Sequence, residues 1–169
     1  MDLGRVHLYA SLLIIPVSLI FALPFLMIWD IHHLKAGIEP LNSYFIPVLL
    51  TGIIAHEFLH GFCWSFFVPG GMKSIKFGIQ WKFLSPYCHC KAPIKVFHYK
   101  IGTIMPLLIT GILPAAVALG SGNGTFLLFS IIFTWMSGGD IISLFMLKEL
   151  DNDRYVYDHP GKMGFYIKK

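Results

Sequence analysis

The chain has few charged residues: Asp, Glu, Lys and Arg make up only 13% of its 169 positions. Soluble domains average about a quarter charged residues, so this composition argues against a soluble globular protein. Hydrophobic residues make up 56% of the chain, and 15 of them are Phe. Low charge and high apolar content together favour an integral membrane protein whose main partner is the lipid bilayer.

Cysteine is also scarce, with only Cys63, Cys88 and Cys90. Three unevenly placed cysteines cannot form a disulfide framework, and they fit a reducing compartment or a membrane. The formal charge of +4 could suggest nucleic acid, but the basic residues are spread over several loops. We therefore expect no nucleic-acid partner. No internal repeat or low-complexity tract is present, which predicts a single domain over residues 1–169.

Four apolar segments are long enough to cross a bilayer, which takes about 20 helical residues. They lie near Val6–Trp29, Tyr44–Phe67, Ile101–Leu119 and Phe126–Leu147. The first runs too long for a typical cleaved signal peptide, so we interpret it as retained. Prolines in the first and third segments are expected to kink those helices without ending them. The predicted fold is an all-α membrane protein with four transmembrane helices.

The basic residues indicate the orientation of these helices. If four helices alternate in direction, the N-terminus, the loop Val68–Lys100 and the C-terminal tail lie on one side. That side carries all of the 13 Lys and Arg residues except Lys35. Basic residues concentrate on the cytoplasmic side of membrane proteins, so both termini and the central loop are predicted to be cytoplasmic. The segments Asp30–Ser43 and Gly120–Thr125 are then predicted to lie outside.

The central loop and the tail carry strand signals. Basic and apolar residues alternate along Lys73–Phe83, as in a strand with one solvated face. The tail is predicted to form two short strands around a turn at Pro160-Gly161. We therefore expect a small cytoplasmic β element. Two roles for Lys73–Phe83 remain open: an edge strand that holds an extended substrate segment, or an anchor to anionic lipid headgroups through its lysines.

The stretch "IIAHEFLHGFCW", residues 53 to 64, places polar residues inside the second apolar segment. On a helix, His56 and His60 lie one above the other, close enough to share a metal, and Glu57 lies beside them. This spacing is typical of zinc peptidases, in which the glutamate takes a proton from water and passes it to the leaving amine. The alternative is a structural polar cluster. Burying ionisable groups in a membrane is costly, which favours a functional site.

A catalytic zinc usually has three protein ligands, so a third is needed. The remaining histidines lie in loops, in the tail or near helix ends, and Asp140 is the one carboxylate besides Glu57 well inside a predicted segment. At 1.5 Å per residue, Asp140 and His60 each lie about 10 Å from the cytoplasmic end of their helices. A divalent zinc, two neutral histidines and two carboxylates also sum to zero charge. The alternative is that Asp140 caps a helix broken at Gly138-Gly139, two glycines that would also allow close helix packing.

The triplet Cys88-His89-Cys90 is a rival metal site. Three residues so close together rarely complete a tetrahedral site, so a structural or substrate-side role is favoured over a second metal. Cys63 lies on the same helical face as His56, and we interpret it as a small buried residue outside the site.

The order of these motifs carries a resemblance. "HEFLHG", a basic loop with "KFG" and "SPYCHC", then "SGGD" and a tail with "DHPGKMGF" resemble the bacterial family labelled putative zincin peptidases, a domain of unknown function. The likeness covers most of the chain from the second helix onward. It implies a location in the bacterial cytoplasmic (inner) membrane.

More distantly, the chain is similar to the site-2 protease group of intramembrane metalloproteases. That likeness implies that His56, His60 and Asp140 bind zinc and that Glu57 is the catalytic acid/base. It also implies cleavage of membrane-embedded protein segments near the cytoplasm. The chain departs from that group around its aspartate, where Gly-Gly-Asp-Ile stands in place of the usual Asn-Pro-Asp-Gly.

Two functions remain open. The first is an intramembrane zinc metallopeptidase that hydrolyses peptide bonds of membrane-associated substrates near the cytoplasmic face. The second is a non-catalytic metal-binding or partner-stabilising membrane protein. Metal binding alone needs no general base, so the presence of Glu57 favours the enzyme. A metal transporter is disfavoured, because no charged path crosses the four segments.

Overall fold

The computed structural model describes residues 3–81, 85–159 and 164–167. The fold is mostly helical, with two small antiparallel sheets, as predicted. The helices are α1 (Leu3–Leu12), α2 (Ile14–Ile28), α3 (Ile31–Ser65), α4 (Val96–Pro106), α5 (Leu113–Ser121), α6 (Gly124–Met136) and α7 (Gly138–Met146). The strands are β1 (Ile75–Gln80), β2 (Ser85–Cys90), β3 (Ile94–Lys95), β4 (Tyr155–Asp158) and β5 (Phe165–Ile167).

Three helical segments in the described residues are long and apolar enough to cross a membrane: Leu8–Ile28, Ser43–Ser65 and Val96–Ser121. A fourth is present if α6 and α7, which meet at a bend of 43°, count as one broken span. These segments overlap the four predicted from the sequence. A chain with three to four such helices has the features of a membrane protein.

The helix α3 begins at Ile31, before the predicted apolar segment Tyr44–Phe67, and continues through Pro40 and Pro47. Asp30 has a positive φ of 82° and ends the preceding helix. Its Oδ1 accepts hydrogen bonds from the backbone N–H groups of His32 and His33, at 2.7 and 3.2 Å. An aspartate that accepts from the first free N–H groups is a standard helix start. The signal that starts α3, Asp30, therefore lies 14 residues before Tyr44, where the predicted apolar segment begins.

The third segment stays helical beyond its proline, as predicted. A π-helix over Leu107–Ile112 follows Pro106 directly and leads into α5. A π-helical turn shifts the hydrogen-bond pattern, which lets a helix continue past a missing donor. The fourth segment is interrupted at Ser137 instead. A methyl group placed on Gly138 would lie 2.9 Å from the Cβ of Ala10, so this glycine permits the close packing that the sequence indicated.

Residue contacts divide the chain into two compact units. That the chain forms a single domain over residues 1–169 stays a prediction. The helical unit comprises Leu8–Gly52 and Leu107–Gly138. Its innermost residues are Phe25, Ala118 and Leu127, all with no exposed surface. The indole Nε1 of Trp29 donates a hydrogen bond of 2.8 Å to the carbonyl of Leu119. Apolar packing thus dominates this unit.

The site-bearing unit comprises Met1–His7, Ile53–Pro106 and Gly139–Lys169. It holds the end of α3, both sheets, α4 and most of α7. β1 and β2 form an antiparallel hairpin in which Ile75 faces Cys90, and β4 lies between β3 and β5 in the second sheet. Its core contains a cluster of buried side chains: Trp64, Val68, Ile75, Cys90, Ile94, Val96, Tyr99, Leu147 and Val156.

β1 falls within the predicted strand Lys73–Phe83, whose last two residues lie outside the described ranges. β4 and β5 match the two strands predicted for the tail, and the turn at Pro160-Gly161 between them also lies outside. The sequence did not predict β2, since "SPYCHC" contains a proline and few β-branched or aromatic side chains. β3 has only two residues, too few to produce a periodic pattern.

Candidate metal centre

His56, Glu57 and His60 lie on one continuous helix, α3. The two histidines are buried, with 6% and 5% of their surface exposed. Their ring centroids are 5.0 Å apart and their planes are almost perpendicular. One helical turn therefore brings the two imidazoles onto the same face, as the four-residue spacing predicted.

Asp140 completes a group of three. It lies in the first turn of α7, which begins at Gly138. One carboxylate oxygen is 3.1 Å from Nε2 of His56, and the other is 3.2 Å from Nε2 of His60. One potential ligand atom from each of the three residues lies within 4.8 Å of the others. The described residues contain no other such group of His, Cys, Asp and Glu.

The chemistry of this group fits a metal ion. Within the described part of the chain, Nδ1 of His56 and Oδ2 of Asp140 are buried without a hydrogen-bond partner. Nε2 of His56 lies 3.1 Å from that same oxygen. Buried polar atoms rarely lack partners, so a carboxylate that faces the Nε2 atoms of two buried imidazoles is suited to a cation. Two imidazoles and a carboxylate are typical zinc ligands.

The carbonyl of Gly102 on α4 fixes the orientation of His60. Nδ1 of His60 lies 2.9 Å from it and donates the hydrogen bond, because a carbonyl can only accept. This tautomer leaves Nε2 free to face Asp140, an arrangement common around metal-binding histidines. A methyl group on Gly102 would lie 2.1 Å from Nε1 of Trp64, so only glycine allows this approach.

Trp64 supports the same histidine from its other side. Its ring stacks on His60 with a centroid distance of 5.4 Å and on Tyr99 with a distance of 4.9 Å. Its Nε1 donates a hydrogen bond of 3.1 Å to the carbonyl of Tyr99. The indole is therefore held between α3 and α4, and it restricts the rotation of the His60 ring.

Glu57 lies beside the three-residue group and is not part of it. Its side chain is partly buried, and its carboxylate accepts a hydrogen bond from the backbone N–H of Cys88 in β2. A carboxylate held next to a metal group, but not coordinated, is free to accept a proton. The β hairpin thus supplies a main-chain donor to the candidate catalytic residue.

The hairpin packs on α3 at Gly61, directly after His60. A methyl group on Gly61 would lie 2.6 Å from the ring of Phe77, 2.7 Å from Ile75 and 2.9 Å from Sγ of Cys88. These three side chains share one face of the hairpin, because Phe77 and Cys88 are register partners and Ile75 lies two residues before Phe77. The missing side chain at Gly61 therefore brings the hairpin up to the site.

The triplet Cys88-His89-Cys90 does not form a metal-binding group in the described residues. His89 points away from the two cysteines, and its Nδ1 lies 2.9 Å from Oδ2 of Asp158. Burial raises the pKa of the Cys90 thiol to about 11. Burial, followed by the nearby carboxylates of Glu57 and Asp158, also holds the pKa of the Cys88 thiol well above its usual range. A structural or substrate-side role for the triplet stays a prediction. Cys63 is buried and likewise lies outside the group.

The sequence did not predict three groups in the surroundings of the site: the Cys88 N–H, the Gly102 carbonyl and the Asp158 carboxylate. Every residue carries a backbone N–H or carbonyl, so no side-chain pattern could indicate the first two. Glycines next to a motif were the available signal, since they mark places where another element comes close. Asp158 lies in the polar tail, where an acidic residue does not by itself indicate a functional role.

Comparison with known proteins identifies the family of the chain. No curated protein and no solved structure matches the chain. The family model described as "Putative zincin peptidase" matches residues 49–155. That range is more than half of the chain, and it contains His56, Glu57, His60 and Asp140. The zincin description implies zinc, which fits the three-residue group. The chain belongs to this family of zincin peptidase-like proteins, DUF3267.

Proposed function

We propose that the protein is an intramembrane zinc metallopeptidase that hydrolyses peptide bonds of membrane-associated substrates near the cytoplasmic face. The observation that carries this proposal is the convergence of His56, His60 and Asp140 from two helices, with the uncoordinated Glu57 carboxylate beside them. Family membership supports the same chemistry. The location inside apolar helices supports a substrate that reaches the site from the membrane.

The location we propose is the bacterial cytoplasmic membrane, with both termini and the loop Val68–Lys100 in the cytoplasm. The exposed faces of the long helices are apolar: Ile15, Met27 and Ile54 have 69%, 86% and 70% of their surface exposed. Such surfaces suit contact with lipid. A cysteine placed at Lys73 should resist a membrane-impermeant thiol reagent in intact cells, and one placed at His32 should react.

The residues divide the work between binding and proton transfer. His56, His60 and Asp140 would hold the zinc, and the Gly102 carbonyl keeps His60 in the ligating tautomer. When bound, zinc supplies a Lewis acid that makes a water molecule nucleophilic at neutral pH. Glu57 takes the proton of the attacking water and delivers it to the leaving amine. The N–H of Cys88 fixes the direction of the Glu57 carboxylate throughout.

The alternative is a non-catalytic metal-binding or partner-stabilising membrane protein. The same three ligands would serve it equally well. Glu57 separates the two functions, because a protein that only binds metal needs no carboxylate held beside the ligands by a dedicated donor. The position of Glu57 therefore favours the enzyme.

We further propose that the free edge of β1 binds a flanking part of the substrate as an extended strand, because β2 lies between this edge and Glu57. The hydrogen bond from Lys91 N–H to the Ser74 carbonyl shows which residues of β1 face β2, since bonded and non-bonded pairs alternate along a hairpin. By this alternation, Phe77 and Ile79 direct their main-chain groups away from β2. In the described part of the chain these groups have no hydrogen-bond partner. A peptide bond leaving a helix needs such partners, and strand addition supplies them.

The hydrolysis test uses the purified protein in lipid vesicles with a single-span peptide whose ends carry a fluorophore and a quencher. We expect zinc-dependent cleavage by the wild type. Glu57→Gln should lower the rate by about a hundredfold or more, because a positioned proton-transfer group contributes that much. It should retain the zinc. Wild-type turnover in Glu57→Gln would contradict the catalytic role of this residue.

The edge of β1 is tested by a proline that removes one outward N–H. Ile79→Pro should abolish cleavage while zinc stays bound, because proline cannot donate to an added strand. Ile79→Thr is the matched control, since it also replaces the isoleucine but keeps the N–H. If Lys73→Gln with Lys76→Gln destroys cleavage and Ile79→Pro does not, the loop is a lipid anchor and the strand proposal is wrong.

A further inference from the structure

The outer edge of β2 carries a short row of main-chain donors. In the hairpin register, Pro86, Cys88 and Cys90 stand at the non-bonded positions, so their main-chain groups point away from β1. Proline has no N–H, and such an edge position tolerates it. The row therefore contains two N–H donors, those of Cys88 and Cys90. They lie about 7 Å apart along the strand.

Both N–H groups donate hydrogen bonds to carboxylates. The N–H of Cys88 bonds to Glu57, and the N–H of Cys90 donates to Oδ2 of Asp158 over 3.1 Å. The first carboxylate is the proposed proton carrier, and the second belongs to β4 in the C-terminal tail. One strand thus connects the tail to the candidate active site through two consecutive outward N–H groups.

Asp158 accepts two hydrogen bonds besides the one from Cys90. Nδ1 of His89 donates to Oδ2 over 2.9 Å, and the hydroxyl of Tyr99 donates to Oδ1 over 2.9 Å. Only 12% of the Asp158 side chain is exposed. Three donors therefore converge on one largely buried carboxylate, and charge-assisted bonds of this kind are about twice as strong as neutral ones. The carboxylate joins β2, α4 and β4 at a single point.

We propose that Asp158 is a positioning residue for Glu57. Its hydrogen bonds with Cys90 and His89 fix the distance between β2 and α3. They therefore also fix the direction of the Cys88 N–H. The effect on catalysis rests on the proposed function, whereas the effect on β2 does not. Asp158 touches neither the three metal ligands nor Glu57 in the contacts of the described residues. Its loss should therefore slow the reaction without releasing the metal.

The simpler role for Asp158 is to fasten the tail and nothing more. In that case its removal would loosen β4, while the hairpin would stay on α3 through Gly61. Hydrogen exchange at the Cys88 amide separates the two roles, because that N–H stays protected only while β2 holds it at Glu57. It can be followed with or without peptidase activity.

The experiment compares the full-length wild type with Asp158→Ala, Asp158→Asn and Asp153→Ala in detergent. Asp153 is the matched control, since it is an aspartate in the same tail with 85% of its side chain exposed. Three quantities are measured: hydrogen–deuterium exchange at the Cys88 amide followed by mass spectrometry, the zinc content, and kcat and KM on the fluorogenic peptide.

For Asp158→Ala we expect several-fold faster exchange at the Cys88 amide and unchanged zinc content. We also expect kcat to fall by about tenfold or more with little change in KM, because the misplaced group acts in the reaction and not in binding. Asp158→Asn should fall between Asp158→Ala and the wild type, since it keeps one acceptor oxygen. Asp153→Ala should match the wild type throughout.

Wild-type exchange at the Cys88 amide in Asp158→Ala would overturn the proposal, and so would an equal effect of Asp153→Ala. If Asp158→Ala does not accumulate, Asp158→Asn decides: faster exchange supports the proposal, and a wild-type rate overturns it. If the wild type hydrolyses no peptide, the proposed function fails on its own. The exchange rates then still decide whether Asp158 positions β2.

Discussion

The two units of the chain use long-range hydrogen bonds differently. In the helical unit, such bonds run from neutral side chains to main-chain carbonyls: Trp29 bonds to a carbonyl 90 residues away, and Thr125 bonds to one 88 residues away. In the site-bearing unit, they also hold ionisable side chains: His60 bonds to a carbonyl 42 residues away, and Tyr99 bonds to Asp158 across 59 residues. Long-range bonds to ionisable side chains fix reactive groups in space, so they identify the unit that holds the chemistry.

Two glycines offer the largest test of this difference. A methyl group on Gly102 would lie 2.1 Å from Trp64, and one on Gly52 would lie 2.1 Å from the ring of Phe133 in the helical unit. Each substitution to alanine should destabilise the protein by about 1–3 kcal/mol, the usual effect of overpacking. Only Gly102→Ala should also weaken zinc binding, by about 10- to 100-fold, because its carbonyl orients His60.

Thermal unfolding and competition with a zinc chelator measure the two effects separately. Zinc affinity that falls equally in Gly52→Ala and Gly102→Ala would remove the distinction between the units. Unchanged affinity in Gly102→Ala would show that its carbonyl does not orient the ligand.

The same substitution at two tryptophans gives a smaller contrast. Trp64→Phe removes a buried hydrogen bond and part of the stack on His60, which should cost about 1–2 kcal/mol and lower zinc affinity several-fold. Trp135→Phe removes a bond to the carbonyl of Ala10 from a side chain that is 38% exposed. Its effect should be smaller and limited to stability. Equal zinc affinities in the two variants would contradict the support that Trp64 gives to His60.

The smallest effect is expected at the surface of the site-bearing unit. Lys95 and Asp153 form an exposed ion pair of 2.8 Å, and the hydrogen bond from Lys95 lowers the pKa of the Asp153 carboxyl. Because the folded-state pKa is lowered, this contribution is present above the unfolded pKa and disappears as the pH falls through the folded value. Solvent screens exposed pairs strongly. Lys95→Met should therefore leave the melting temperature unchanged at neutral pH, and a clear drop there would show a larger role.

The sequence predicted those parts of the molecule that depend on local spacing. His56, Glu57 and His60 lie within five consecutive positions of one helix, so their shared face follows from helical geometry. Asp140 could be chosen because acidic residues inside apolar segments are rare. The first residues of α3 lie before the predicted apolar segment, in a polar stretch with Pro40, whereas here Asp30 starts a helix that passes through this proline.

The surroundings of the metal group depend on contacts between distant parts of the chain. The register of β2 against β1 places the Cys88 N–H on Glu57, and a slip of one residue would direct the neighbouring groups there instead. Nothing in the local pattern of "SPYCHC" specifies that register. Asp158 acquires its role only because β4 carries it to Cys90 and Tyr99. Tertiary structure alone creates these contacts.

The zinc content of four purified proteins tests the metal centre most directly, and elemental analysis measures it for the wild type, Glu57→Gln, His60→Ala and Asp140→Ala. We expect one zinc per chain in the wild type and in Glu57→Gln, because Glu57 is not a ligand. His60→Ala and Asp140→Ala should each retain little zinc, since each loses one of three ligands. Full zinc occupancy in Asp140→Ala, or a zinc-free wild type that is folded, would show that these three residues do not form a zinc site.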